Sequence, residues 1–336
     1  MRRHSLSVSQ QGLWFLSRID PRTNAAYNVV LALRAEGRID ADRLQRVLTV
    51  LQMRHEALRC RIVSDLGVPA IDLFEADEAP PWMLQHRTGE LRSIAADEGN
   101  RPFSMEDAPL ARAILVASTD TTVADGLVFV VPHLLFDDAS ARFLMQDIER
   151  IDGALLRGEE PTDLPPAGSL VEWIGREVTL SSSPKMKALV ETTASGLVDM
   201  PERLALPVVL SVQQNDTVHS GAAVELPLSS DFTVRFKDFL RQQRTTPAAA
   251  CLAAFLLLLW KISRQTDFGV SVPVSNRASH GMQQVVGYFT NVGIVRSCID
   301  PAQTVAEFLA ALNERWWNLL DGCELPFPLL AKHVKR

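Results

Sequence analysis

Long apolar runs, paired cysteines and blocks of basic charge are all missing from this chain of 336 residues. The uncharged stretch Ala248 to Trp260, AAACLAAFLLLLW, is 13 residues, well short of the roughly 20 that a bilayer-spanning helix needs. With Thr246 placed to cap it and Pro247 suited to the first helical position, it reads as a buried helix of a soluble core. Cys60, Cys251, Cys298 and Cys323 lie far apart with no CxxC spacing. That pattern argues against a zinc site or a disulfide framework and fits packing residues in a reducing cytoplasm. Lys and Arg are scattered through a chain of net charge -6, so there is no electrostatic footprint for nucleic acid. The N-terminal MRRHSLSVSQQ has basic residues but no apolar stretch behind them. It does not read as a secretory signal, and the mature protein is expected to begin there.

What is present is ordinary globular composition, 47% hydrophobic and 22% charged, over a length that suits two lobes. Periodicity predicts a helix over Ser7 to Arg18, a turn at Asp20 and Pro21, a strand over Asn28 to Arg34, and a helix capped by Asp40 with Leu44, Val47, Leu48 and Leu51 on one face. A strand from near Leu58, a helix over about Thr88 to Glu98, and strands over Ala111 to Ala117 and Leu127 to Val131 around the turn STDTTVADG complete a mixed α/β first half. Composition shifts between Ile174 and Pro207, with SSSP at Ser181 to Pro184. The expected division is therefore an N-terminal lobe over 1–175, a crossover over 176–206 and a C-terminal lobe over 207–336. In the second half, strands are expected at Ala222 to Leu226, Phe268 to Pro273 and Val292 to Cys298, with helices at Asp231 to Gln243, Pro247 to Ser263 and Thr304 to Leu320.

The segment VPHLLFDDAS, Val131 to Ser140, leaves an apolar strand and enters a helical stretch from Ala141. His133 thus sits on a strand-to-helix turn, where a rigid strand aims a side chain and the loop leaves room for a ligand. A lone His in such a place is more often a hydrogen-bonded structural residue than a catalyst, so the surrounding motifs decide.

Several stretches, in order, match one family. SVSQQGLWFL (Ser7 to Leu16) corresponds to SxxQxRLWxL, with Gly12 in place of Arg; RHEALRCRI (Arg54 to Ile62) corresponds to RHExLRTxF. VPHLLFDDAS stands where HHxxxDGxS is expected, VEWIGRE keeps Trp173, PVSNR precedes VGYFTNVGIVR (Val286 to Arg296), which is similar to IGxFVNTxxxR, and LPFP (Leu325 to Pro328) keeps a Pro and a Phe. The chain resembles the condensation domain of nonribosomal peptide synthetases over nearly its whole length.

The resemblance implies a two-lobed α/β fold like chloramphenicol acetyltransferase, with a tunnel between the lobes and a second lobe that stops short of the family's usual end. It implies no bound cofactor. Acyl and peptidyl carrier proteins would bring phosphopantetheine arms to His133, which aligns with the second His of the active-site motif. Pro132 aligns with the first His, Asp137 with the Asp and Asp138 with the Gly. His133 is the expected base or positioning group for the amine. Asp137 is expected to be structural, braced by Arg59 or Arg296, because a buried carboxylate without a partner is costly. Pro132, Asp138, Ser140, Tyr288 and Asn291 are expected near the tunnel or substrate. His55, Trp14 and Trp173 are expected to be structural. No metal is expected, since spacing supplies no second His or third ligand around His133, Asp137 and Asp138.

The departures matter as much. Pro132 lacks a backbone N–H, so the strand end must lack a hydrogen bond there or meet solvent. Asp138 adds volume and charge where glycine would leave the tunnel open, and an anion near the imidazole would favour its protonated form. The Asp pair also resembles the X domain of glycopeptide assembly lines, a relative that recruits oxygenases. Two readings follow: an acyltransferase forming an amide or ester, and a non-catalytic module that binds a carrier protein or recruits a tailoring enzyme. An acyltransferase using free coenzyme A would need a basic mouth, and no Lys or Arg cluster provides one. No membrane association is expected.

Overall fold

The computed structural model describes residues 1–19, 23–117, 125–162, 164–207, 224–277 and 284–334. Its elements run β1 (Arg2–Ser5), α1 (Val8–Ile19), α2 (Thr23–Ala26), β2 (Asn28–Arg34), α3 (Ala41–Arg54), β3 (Cys60–Asp65), β4 (Val68–Leu73), β5 (Leu84–Thr88), α4 (Leu91–Gly99), β6 (Arg112–Ala117), β7 (Gly126–Pro132), α5 (Asp138–Leu156), α6 (Leu170–Ser181), α7 (Pro184–Ser195), α8 (Ser230–Gln242), α9 (Pro247–Ser263), β8 (Asp267–Ser275), β9 (Thr290–Cys298), α10 (Val305–Asp321) and α11 (Phe327–His333). The turn at Asp20 and Pro21 and most of STDTTVADG lie outside the described residues, as do Ala222 and Ala223. The rest of that expected strand, Val224 to Leu226, has no regular structure.

The chain divides into two compact units. The first comprises Met1–Ser183 with Arg277–Thr290, and the second Pro184–Asn276 with Asn291–Arg336. Where a crossover was expected over 176–206, two helices stand, α6 in the first unit and α7 in the second. The return of residues 277–290 to the first unit is not something composition signals.

In the first unit, β2-β7-β6-β5 form one sheet and β1-β4-β3 another. All seven residues of β7 are buried, which is why Leu127 to Val131 is apolar without alternation: neighbours cover both faces. The RHE stretch holds this unit together. Arg54 Nε and His55 Nε2 lie 2.7 and 2.9 Å from the same Asp147 oxygen on α5. Glu56 accepts from Ser169 Oγ and from Val171 N at the start of α6. His55 is buried, a structural hydrogen bonder as its context implied.

In the second unit, β8 and β9 pair, and Phe268 and Val295 pack with Leu256 and Leu259 of α9 and with Phe308 and Leu312 of α10. Thr246 Oγ1 caps α9 by accepting from Ala249 N at 3.2 Å. This helix is buried on one face only: Ala249, Ala253, Leu256 and Leu259 are covered, while Phe255, Leu258 and Ile262 are exposed. Of the cysteines, Cys60 is buried and Cys323 half-buried, whereas Cys251 and Cys298 are exposed. No single described helix is long and apolar enough to cross a membrane.

Candidate functional site

His133 follows directly on β7, at the start of a short 3₁₀ turn, His133–Leu135. The β2–β7 ladder explains how proline is tolerated just before it. His133 N donates to Tyr27 O at 2.7 Å, so the neighbouring pair Asn28–Pro132 is a non-hydrogen-bonded one, in which position 132 owes no N–H to β2. On its other side β7 pairs with β6 only from Arg112–Val130 onward. Pro132 therefore removes no ladder hydrogen bond, which is the condition that the sequence required.

The imidazole is held by its Nδ1, 2.6 Å from the Phe136 carbonyl. A carbonyl only accepts, so Nδ1 carries the hydrogen and Nε2 presents its lone pair in the neutral ring. The Tyr27 ring lies roughly parallel to the imidazole at 6.4 Å and 27°, and the Tyr288 ring meets it edge-on at 5.1 Å and 83°. Burial, with smaller effects from Tyr27 and Asp137, pushes the Tyr288 phenol up to about 12. It stays neutral at physiological pH. A cavity of about 20 Å³ adjoins His133, walled in part by Trp14, Asn24, Tyr27 and Pro132.

The turn itself is braced from α1. Ser7 and Gln10 form a reciprocal cap: Gln10 N donates to Ser7 Oγ at 3.1 Å and Ser7 N donates to Gln10 Oε1 at 3.0 Å. The remaining Gln10 amide then donates to the Leu134 carbonyl at 2.9 Å. The opening SVSQ stretch thus caps its own helix and supports the residue after His133.

Asp137 caps α5, accepting from Ser140 N at 2.8 Å, so the helix begins at Asp138, three residues before the sequence-predicted start. Neither arginine proposed for Asp137 reaches it. Arg277 does, with Nη2 to Oδ1 at 2.6 Å and Nε to Oδ2 at 3.2 Å. Phe289 N also donates to Oδ2, at 3.2 Å. Arg277 lies over the Phe289 ring at 4.0 Å and donates to Val285 O at 2.7 Å. Ser140 Oγ joins the cluster, accepting from Gly287 N at 3.0 Å. A Cβ at Gly287 would fall 2.6 Å from Phe289 and 2.7 Å from Leu170, so only glycine fits there.

Arg59 instead donates through Nη1 to the Phe74 carbonyl, and Arg296 pairs with Asp267 at 2.9 and 2.7 Å. Both are occupied in their own neighbourhoods. The signal for Arg277 was in the sequence, since PVSNR is one of the matching stretches and ends in it; the expectation went to arginines of better-matching stretches. Gln10 stands at the Q of SxxQxRLWxL, so its motif carried a signal, whereas Tyr27 lies outside the matching stretches.

Asp138 is exposed on the first turn of α5, where a carboxylate is favoured by the helix dipole. Asn291 belongs to the second unit. Its Nδ2 donates to the carbonyls of Cys323 and Leu325, and its Oδ1 accepts from Phe327 N at 3.0 Å and from Val292 N at 2.8 Å. It fixes the LPFP segment. Asn291 and Arg296 also line a cavity of about 590 Å³ in that unit, with Leu197, Ile294, Arg315 and Leu319. Among the described residues, no group of three His, Cys, Asp or Glu is placed to hold a metal.

The family model for the condensation domain matches residues 2–336. The chain belongs to the condensation-domain family. This condensation domain is 27% identical over 343 residues to bacitracin synthase 1 of Bacillus licheniformis, a match that covers 98% of this chain and 6% of that protein. It therefore spans a small part of the length of that relative. Its fold is similar to the first condensation domain of the calcium-dependent antibiotic synthetase in complex with a substrate analogue, with a TM-score of 0.86 at 19% identity, covering 100% of this chain and 78% of that one. It is also similar to the complex of the X-domain and OxyB from teicoplanin biosynthesis, with a TM-score of 0.81 at 20% identity, covering 99% of this chain and 74% of that one. The mixed helices and sheets are those of the chloramphenicol acetyltransferase type, as the motifs implied.

Proposed function

We propose that this condensation domain transfers a carrier-bound acyl group to an amine, or to a hydroxyl, with His133 as the base. The observation that carries this reading is the Nδ1 to Phe136 carbonyl contact, which leaves Nε2 as the proton acceptor. As the acceptor nitrogen bonds to the thioester carbon, Nε2 takes the nitrogen's proton. The tetrahedral adduct then expels the pantetheine sulfur, and the imidazolium returns the proton to that thiolate. The thioester is consumed, an amide forms and the thiol is released, with His133 regenerated. Phosphopantetheine comes with the acyl and peptidyl carrier partners, so the domain needs no cofactor of its own. Asp137, Arg277 and Ser140 shape the turn and do not touch the reacting atoms. The setting is the cytoplasm, where assembly-line carriers are loaded.

The test is reconstitution with an acyl-loaded and an aminoacyl-loaded carrier protein, followed by mass spectrometry of the carrier-bound product. His133→Ala is expected to lose about 100-fold or more in rate, the usual share of a positioned acid–base group. Equal turnover by wild type and His133→Ala would sink the proposal.

A second reading has one observation behind it. A structural neighbour is an X-domain seen in complex with OxyB, and this chain carries an adjacent Asp pair, Asp137 and Asp138. Under that reading the domain docks a carrier or a tailoring enzyme without chemistry. Binding of a loaded carrier with no product formed is its signature.

A further inference from the structure

The chain has two tyrosines in 336 residues, and the rings of both meet the His133 imidazole. We infer that Tyr27 and Tyr288 are positioning residues that brace the His133 ring and hold its Nε2 in one direction. The inference deepens the acyl-transfer reading, in which that nitrogen accepts the proton.

One hydrogen bond cannot do this alone. The Nδ1 contact with Phe136 O, at 2.6 Å, holds a single atom, and a ring otherwise free to turn about its Cβ–Cγ bond can swing out of that contact and lose the tautomer it selects. Tyr27 limits that motion with its ring near parallel to the imidazole at 6.4 Å, and Tyr288 from an edge-on direction at 5.1 Å. Both arrangements lie within the range where aromatic pairs attract. Each brace is itself anchored. The Tyr27 carbonyl accepts from His133 N at 2.7 Å, which ties its ring to the same ladder that carries the histidine. Tyr288 stands between two pinned residues, with Gly287 N on Ser140 Oγ at 3.0 Å and Phe289 N on Asp137 Oδ2 at 3.2 Å. The Asp137 cluster therefore acts on His133 through Tyr288, without contacting the substrate. Tyr27 is 38% exposed and Tyr288 only 6%, so one brace can be altered with little risk to the core.

The test reads the imidazole directly. Protein labelled with ¹⁵N-histidine is observed at pH 8 by long-range ¹H–¹⁵N correlation, His133 being the signal that disappears in His133→Asn among the seven histidines. Wild type, Tyr27→Phe and Tyr288→Phe are expected to give the pattern of a single Nδ1–H tautomer. Tyr27→Leu and Tyr288→Leu are expected to give an averaged pattern. In the carrier transfer assay the Leu variants should lose about tenfold in kcat with KM within about twofold, the mark of lost orientation, and the Phe variants should match wild type. Circular dichroism checks that each variant is folded. If Tyr288→Leu does not fold, Tyr27→Leu decides alone. Folded Leu variants that keep the single-tautomer pattern would overturn the brace. Absence of transfer by the wild type would instead overturn the acyl-transfer reading, and the tautomer patterns would still decide the brace.

Discussion

Arg277 grips Asp137 with two of its nitrogens, at 2.6 and 3.2 Å, and both side chains are buried. The pair joins the start of α5 to the returning segment 277–290, and Phe289 N, Ser140 N and Ser140 Oγ also donate to the carboxylate. Removing one member leaves an uncompensated charge in the interior, which costs about 3–5 kcal/mol. Arg277→Ala is therefore expected to lower unfolding free energy by about that amount in urea titrations. Arg277→Lys should recover little of it, because an ammonium cannot reproduce the forked geometry. A loss below about 1 kcal/mol for Arg277→Ala, the level of a surface pair, would contradict this account.

Gln10 links two elements with one side chain. Its oxygen caps α1 and its nitrogen reaches the Leu134 carbonyl at 2.9 Å, in a fully buried position. Gln10→Ala strands that carbonyl and the Ser7 N–H, a change worth about 2 kcal/mol. Gln10→Glu should be no better, since a carboxylate has no N–H for Leu134. Thermal melts of the two variants beside wild type check the expectation, and a Gln10→Glu melt equal to wild type would refute it.

Much of the fold was legible in the sequence where local rules govern. Asp40 and Thr246 cap the helices they were expected to cap, and the apolar run at Leu127 to Val131 is a strand buried on both faces. At the site, the ordered motifs pointed to His133, Asp137 and Ser140, and in the fold Ser140 N donates to Asp137 at 2.8 Å. The failures share one cause. Which arginine meets Asp137, and which ring meets His133, depends on residues separated by 140 positions for Arg277 and by 106 and 155 for Tyr27 and Tyr288, and periodicity holds no information about such pairings. One-sided burial of α9 is another case. A helix apolar all round reads as buried, yet Phe255, Leu258 and Ile262 are exposed.

Asp138 replaces the family's glycine, and the sequence made it the most worrying departure. The structure puts it exposed on the first turn of α5. A carboxylate there gains about 0.3–1 kcal/mol from the helix dipole. Asp138→Gly is expected to lower stability by about 1 kcal/mol, through loss of that term and of helix propensity, while preserving or raising transfer activity. Melting and carrier-transfer assays on the same preparation separate the two effects. A large fall in activity without loss of fold would mean that Asp138 takes part in the reaction.

Glu177 is the acid whose titration should be visible in stability. It sits on α6, nearly fully buried, with Oε1 3.2 Å from Ser9 Oγ. Burial pushes its carboxyl above the ordinary range, against the opposing hydrogen bonds from Ser7, Ser9 and Val8. A folded-state pKa raised above the unfolded value of about 4.3 means that the native protein holds the proton longer. Its contribution is then fully present below that pH and is lost as pH rises through the folded value. Glu177→Gln carries no titrating proton and keeps the shape. Its unfolding free energy relative to wild type should therefore improve as pH is raised through the folded-state value and then level off, with the full advantage kept on the alkaline side. Urea titrations from about pH 4 to about pH 8 measure the difference. A constant offset at every pH would show that Glu177 titrates alike in the folded and unfolded chain, and an advantage growing toward acid would reverse the sign argued here.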